Sequence, residues 1–381
     1  MAGIYFHIPF CKTRCIYCDF FSSTSMKEKE WYVDALCKEI SLQSDYLKGE
    51  STETIYFGGG TPSQLTAEDF KKIFTQIKVS YPSALSKPDE MEITLEANPD
   101  DLTIEYLDSL KDLPFNRISL GIQSFQDSEL DFLNRRHTAQ SAIEAVRLCQ
   151  VAGFNNISID LMYGLPGQTM VIWKENLHHA LALDIQHISA YHLIYEEGTP
   201  LYNQSEKKQI NPIDEKLSVE MFETLIDTLT ESGFEHYEIS NFARKGYRSR
   251  HNSSYWDGTH YLGIGASAHS YNGVSRQWNV SSIPEYIRSI SLGDNSQISE
   301  TEKIDEKTAY NDFILTRMRT MEGMNFTELS SVFGKEKADY CIQHAKKYID
   351  TQMLEIKEDH LMLTRKGIFV SDSIMSDLMI L

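Results

Sequence analysis

The sequence predicts an α/β protein, a partial (β/α) barrel followed by a C-terminal helical, winged-helix-like domain. Three observations predict it. Short β-rich runs alternate with longer helical patterns to about residue 195. Glycine-rich and polar motifs recur at the C-terminal ends of successive β-rich runs. From roughly residue 300 onward the pattern changes to helix, turn, helix, hairpin and final helix.

The candidate strands are Gly3–Ile8, Thr54–Phe57, Met91–Glu96, Arg117–Ile122, Ile157–Leu161 and His187–Leu193. Between them lie the candidate helices Lys27–Leu47, Ala67–Val79, Thr103–Leu110, Ala139–Ala152 and Val171–Leu183. Such alternation calls for a parallel sheet with right-handed crossovers, which an open doubly wound sheet also satisfies. The motif positions favour the barrel. Gly58-Gly59-Gly60-Thr61-Pro62, Glu96-Ala97-Asn98-Pro99, Gln123 and Asp160 all fall at strand C-termini, the rim where barrel enzymes gather their functional groups. This core is expected over 1–235, with a connecting region over 236–300 and the winged-helix-like domain over 301–381. In the last, Leu354–Lys357 and His360–Leu363 read as a hairpin around Glu358-Asp359.

A chain of 381 residues with 20 Tyr and 18 Phe can bury a full core. Its formal charge of −19 disfavours general binding to nucleic acid. The winged-helix-like tail holds 11 Lys/Arg against 14 Asp/Glu, so packing or partner contact is expected there rather than phosphate binding. The start lacks the basic and apolar regions of a secretory signal, and no apolar run approaches the ~20 residues needed to cross a bilayer. Three clustered and three scattered cysteines do not form a disulfide pattern. A cytoplasmic location is expected, with Cys37, Cys149 and Cys341 as buried apolar side chains.

Cys11, Cys15 and Cys18 stand at C-x3-C-x2-C spacing. Three thiolates suit an iron–sulfur cube with one iron open, whereas electron-transfer clusters are closed by four cysteines. A structural zinc site closed by His7, or three buried thiols on one helix face, are the alternatives.

With Tyr17 before its third cysteine, the triplet resembles that of the radical S-adenosylmethionine (SAM) superfamily. A closer resemblance, to the oxygen-independent coproporphyrinogen III oxidase family, runs the length of the chain. It is carried by Tyr5–Phe10, Tyr56–Ser63, Ile118–Phe125 and Ile159–Pro166. Within that family the chain looks most like the HemW branch, the haem chaperones. The true oxidases carry a further cysteine where this chain has Phe20. His251-Asn252-Ser253-Ser254-Tyr255-Trp256 fits the H-N-x-x-Y-W motif linked with haem in the chaperone branch.

The resemblance implies a radical SAM type of partial barrel. It implies a [4Fe-4S] cluster on Cys11, Cys15 and Cys18, with SAM on the open iron. SAM would be held by Tyr5, Tyr17, Gly59, Gly60, Thr61, Glu96, Gln123, Arg135 and Asp160, and haem by His251, Tyr255 and Trp256. The chemistry is apt. Arg135 offers a planar fork for a carboxylate, and Glu96, Gln123 and Asp160 can accept from ribose hydroxyls. Imidazole is a good axial ligand for haem iron, and the aromatics can stack on a porphyrin. A basic run, Arg244, Lys245, Arg248 and Arg250, suggests partners for haem propionates.

The implied function is to bind haem and deliver it to haem-requiring proteins. The alternatives are a coproporphyrinogen III oxidase of porphyrin biosynthesis and a radical SAM enzyme acting on RNA. Whether the chain is an enzyme stays open, and no catalytic residue is assigned. Expected partners are haem-accepting proteins, an electron donor such as a flavodoxin or ferredoxin, a second copy in a homodimer, and a peripheral membrane contact.

Overall fold

In the computed structural model, which describes residues 2–47, 49–82, 84–85, 88–293 and 298–380, six parallel strands form the centre of one sheet. They are β1 (Ala2–Ile8), β2 (Thr52–Gly59), β3 (Glu92–Ala97), β4 (Arg117–Gln123), β5 (Ile157–Tyr163) and β6 (His187–His192). All lie side by side in chain order. Each begins and ends within two residues of its expected range.

Helices Lys29–Leu42, Ala67–Ser80, Ile104–Ser109, Ala139–Val151 and Met170–Leu181 fill the crossovers. Several start on a side-chain cap. At Thr66 the hydroxyl accepts from Asp69 N while Asp69 accepts from Thr66 N, a reciprocal box that satisfies two otherwise orphaned donors. The first helix ends at Leu42 rather than Leu47, where the polar run Gln43-Ser44-Asp45 takes over.

The sequence placed a connector at 236–300, but strands from this part of the chain extend the sheet at both edges. β7 (Glu235–Glu238) and β8 (Asn241–Ala243) run on antiparallel beyond β6. β9 (His260–Ile264) adds parallel to β1, followed by antiparallel β10 (His269–Tyr271), β11 (Ser275–Asn279) and β12 (Ser299–Lys303). Glu39 locks this return. Its fully buried carboxylate accepts from Tyr286 Oη (2.5 Å), Asn279 Nδ2 (2.7 Å) and Gly265 N (2.8 Å). The strand order runs from β12 to β7 without closing, so the sheet is a partial barrel with helices outside.

The two faces of the sheet differ. Outward residues such as Ile55, Phe57, Ile93, Leu95, Ile118 and Leu120 pack on the helices in two apolar clusters. The alternate residues Thr54, Thr94, Arg117, Ser158 and His187 are polar and buried. A strand has a side-chain period of two, so one set faces the helices and the other faces inward.

The C-terminal region has its own core around Tyr310, Met318, Cys341, Leu354 and Met375. Helices Glu306–Arg317, Phe326–Phe333 and Lys335–Asp350 precede a hairpin, Leu354–Lys357 with His360–Leu363, against which Met324–Asn325 also pairs. The helix Ser371–Leu378 closes it, the winged-helix order that the sequence predicts. Phe369 meets Phe222 of the core edge-on at 5.5 Å, and Arg248 reaches Glu322 at 2.6 Å. Among the scattered cysteines, Cys149 and Cys341 are buried and Cys37 is partly so. Among the described residues no helix is long and apolar enough to cross a membrane.

Candidate functional site: a polar cavity at the strand ends

A cavity of about 640 Å³ opens at the C-terminal ends of the parallel strands. Its lining brings together all three clustered cysteines and every residue proposed from sequence for SAM. His251 and Tyr255 line it too; Trp256 does not.

The cysteine loop between β1 and the helix Lys29–Leu42 contains no helix, so the three thiols do not share a helix face. Neighbouring loops pin it instead. Cys11 N donates to Ser23 O (2.9 Å), Ile16 N to Leu133 O (3.3 Å), and Asn134 Nδ2 to Arg14 O (2.8 Å). Cys11 is buried, with Cys15 and Cys18 half-buried. Two donors reach sulfur, Thr61 Oγ1 to Cys11 at 3.3 Å and Arg135 Nη1 to Cys15 at 3.4 Å. Burial pushes the Cys18 thiol up to about 11 and raises that of Cys11.

This donor set fits a sulfur-rich cluster, whose charge offsets the burial cost of thiolates. It does not fit zinc closed by His7. Both ring nitrogens of His7 are engaged, with Phe21 O at 2.8 Å and Tyr5 Oη at 3.2 Å. Among the described residues no three His, Cys, Asp or Glu side chains converge on a single ion.

The glycine turn after β2 passes close against β1. A side chain on Gly60 would strike Ile8 O and Pro9 C at 2.8 Å, while Gly59 has φ +103° and lies against the His7 ring. Opposite it, β4 ends on a register shift and Gln123 takes φ +70°. That combination re-aims a side chain out of the ladder, and such strain gathers at functional sites. Arg135 follows on the next loop. Its Nη2 donates to Asn98 Oδ1 (2.7 Å) and to Gly121 O, while Nε is buried without a partner. An orphaned guanidinium N–H beside the cysteines suits the carboxylate of a ligand.

Deeper in, burial pushes Glu96 up to about 7. A 2.6 Å hydrogen bond from Tyr56 Oη opposes the shift, and the charge of Asp160 adds to it. Burial likewise pushes Asp160 up to about 6 against the pull of Arg117. Arg117 is fully buried at the start of β4, and its Nε and Nη1 have no partner. The barrel interior therefore holds the Arg117 cation beneath two carboxyl groups that ionise close to neutrality.

The helix Arg250–Trp256 closes the floor. Glu92 at the start of β3 accepts from Arg250 N and His251 N, each at 3.0 Å, and from Ser249 Oγ at 3.3 Å. The imidazole of His251 lies between Thr54 Oγ1 on Nδ1 (2.8 Å) and Tyr255 Oη on Nε2 (3.0 Å). It stacks on Tyr56 with ring centres 4.9 Å apart and on Tyr5 at 6.3 Å. Burial, with the charge of Arg117, pulls its pKa down to about 3, so the ring is neutral.

The spacing of four between His251 and Tyr255 puts both on one helix face. Trp256 points elsewhere, with Arg319 4.8 Å over its ring. The three arginines of the basic run expected to meet propionates are already engaged. Arg248 pairs with Glu235 (3.0 Å) and Glu322 (2.6 Å), Arg250 with Glu53 (2.8 Å), and Arg244 with Ser232 O and the face of Phe234.

Sequence reading missed Thr54, Tyr56, Glu92, Ser119 and Tyr191. The available signal was their period. They sit at alternate positions of strands that a doubly covered parallel sheet would otherwise make apolar throughout.

Comparison with known proteins agrees with this layout. Residues 5–180 match the model of the radical SAM superfamily, and 304–370 match that of the HemN C-terminal domain. The heme chaperone HemW of Bacillus subtilis is 33% identical over 374 residues, 96% of each chain. That of Lactococcus lactis is 32% identical over 97% of this chain and 95% of its own. The structure of coproporphyrinogen III oxidase (HemN) from Escherichia coli superposes with a TM-score of 0.83 at 20% identity, covering 99% of this chain and 89% of that one. The fold is therefore the α/β radical SAM fold, and a radical SAM domain implies SAM and a [4Fe-4S] cluster. A similarity that runs nearly end to end in both chains places this protein in the HemW family of the radical SAM superfamily.

Proposed function

We propose that the chain is a haem chaperone, which holds a SAM-ligated [4Fe-4S] cluster at the cavity mouth and haem through His251, and passes the haem to acceptor proteins. The observation that carries haem binding is the state of His251. A neutral imidazole, its Nε2 3.0 Å from the Tyr255 hydroxyl, borders a cavity large enough for a cofactor. Relatives similar over nearly the full length are named heme chaperones. Where the oxidases carry a further cysteine, Phe20 stands 61% exposed and offers no thiolate.

Haem titration tests the reading. The wild-type protein is expected to give a Soret band saturating at a defined ratio. His251→Ala should lower haem affinity at least about tenfold, equivalent to about 1.4 kcal/mol. A band that neither saturates nor responds to the substitution would remove the haem reading.

In the same proposal Cys11, Cys15 and Cys18 hold the cluster. Arg135 takes the SAM carboxylate, and Glu96, Gln123 and Asp160 take the ribose, with Tyr5, Tyr17, Gly59, Gly60 and Thr61 shaping the pocket. The open iron of such a cluster supplies a site for the SAM amino and carboxylate groups and a source of one electron. Around it, the protein's part is to orient the ligand and to set charge. SAM carries a sulfonium cation, so it favours ionised Glu96 and Asp160.

These carboxyls lose their charge as pH falls through about 7 and about 6. SAM affinity measured calorimetrically should therefore drop about tenfold between pH 8 and pH 6, most of it from Glu96. Glu96→Gln should bind more weakly at pH 8 and lose most of that slope. An unchanged slope in the variant would show that another group sets it.

A further inference from the structure

We propose that Asp101, which lies outside the cavity, is a positioning residue that braces the cysteine loop, the glycine turn and the arginine loop against one another. Cluster and SAM then meet a prearranged site. This rests on the cluster and SAM assignments above.

Asp101 ends the short turn Pro99–Asp101 that follows β3. Its side chain is 3% exposed and lines none of the cavity. Each carboxylate oxygen takes two donors. Oδ1 accepts from Lys12 Nζ at 2.7 Å and Arg136 Nη2 at 3.3 Å, and Oδ2 from Ser63 Oγ at 2.8 Å and Gln64 Nε2 at 2.5 Å. A buried carboxylate persists only with partners of this kind, and bonds to a charged group are the stronger sort.

The four partners come from three separate segments, and each segment carries a group that faces the ligands. Lys12 stands between Cys11 and Cys15 in a loop without a helix of its own. Ser63 and Gln64 belong to the turn Pro62–Gln64, directly after Thr61, whose hydroxyl donates to the Cys11 sulfur at 3.3 Å. Arg136 follows Arg135, which donates to the Cys15 sulfur at 3.4 Å.

Asn98, three residues before Asp101, repeats the link from the cavity side. Its Nδ2 donates to Thr61 Oγ1 at 3.4 Å, and its Oδ1 accepts from Arg135 Nη2 at 2.7 Å. Both donors to sulfur are thus tied to the same short segment. Arg136 also pairs with Asp100 at 2.5 Å, so without Asp101 the arginine loop keeps one hold while Lys12 loses its carboxylate. The cluster should suffer more than SAM.

The experiment measures iron release to a chelator and SAM affinity in the anaerobically reconstituted, full-length protein. Asp101→Ala should speed iron release about 10–100-fold, the usual cost of an outer-shell partner, and weaken SAM by a smaller factor. Asp101→Asn keeps Ser63 and Gln64, whose hydroxyl and amide can reverse, but loses the charge facing Lys12 and Arg136. It should show most of the alanine effect. A residue that merely supports the core would act alike in any background, whereas the Asp101→Ala effect should be several-fold smaller in Lys12→Met. Equal effects in the two backgrounds, or unchanged iron release in Asp101→Ala, would overturn the brace. Should Asp101→Ala fail to fold, Lys12→Met decides alone, at a side chain 50% exposed: faster iron release supports the brace and unchanged release overturns it. A full cluster in Cys11→Ala would instead overturn the cysteine assignment on which the brace rests.

Discussion

Cys11→Ala is expected to abolish cluster assembly and to weaken SAM binding more than 100-fold. Cys11 is the most enclosed of the triplet, 8% exposed, with its backbone N–H on Ser23 O and its sulfur receiving the Thr61 hydroxyl. Alanine leaves two half-buried thiols and no replacement, because Phe20 carries no donor and both nitrogens of His7 are occupied. Without a cluster there is no open iron, and SAM keeps only its side-chain contacts. Thr61→Val makes the comparison quantitative. It removes one O–H···S bond around an intact triplet, and outer-shell changes of this kind cost about 10–100-fold. Iron and sulfide content after anaerobic reconstitution, together with a SAM titration, reads both variants. A full cluster in Cys11→Ala would remove the cysteine assignment.

The central strands were legible because parallel strands covered on both faces carry dense apolar runs punctuated by glycine and proline. Ile55, Phe57, Ile93 and Leu95 are such residues, and their strands lie close to where the sequence puts them. The strands β8 and β10 were not legible. Each is only three residues long and is fastened by other parts of the sheet rather than by its own pattern: Asn241 of β8 accepts from Ser189 Oγ (2.6 Å), and Ser270 of β10 accepts from Gly263 N (2.9 Å). Non-local hydrogen bonds of this sort leave no periodic trace, so a region read as a connector is part of the sheet.

The cavity was legible to unequal depth. Its rim residues belong to contiguous motifs, Gly58–Pro62 among them, that signal a turn by composition alone. Its floor is held from beneath by single polar residues on separate strands, Thr54, Glu92 and Arg117, which are buried behind the lining and unremarkable in their own segments. The H-N-x-x-Y-W motif shows the same limit. Spacing puts His251 and Tyr255 together correctly, but it cannot say that Arg248 and Arg250 spend their charge on Glu235, Glu322 and Glu53. Pairings across 13 to 197 residues of chain follow from the fold.

Glu92→Ala should cost about 3 kcal/mol of stability and disarm His251 without touching the cavity. Its carboxylate sits 5% exposed and accepts two backbone N–H groups and one hydroxyl at the start of the helix that carries His251. Hydrogen bonds to a charged group are worth about 1.5–3 kcal/mol each, and buried donors left without a partner add their desolvation cost. Part is regained by relaxation and water, so a loss of about 3 kcal/mol and a melting point several degrees lower are expected. The functional consequence separates positioning from mere stability. Glu92 lines none of the cavity, so below its melting point the variant should still assemble the cluster. Its haem affinity should nevertheless fall toward that of His251→Ala, because the helix no longer enters at a fixed angle. Glu92→Gln keeps an acceptor oxygen for one N–H and should recover part of the loss. If Glu92→Ala loses cluster and haem together, Glu92 supports the whole barrel. If it loses haem alone, Glu92 on a central strand sets the geometry of His251 while the cluster site stands independently of it.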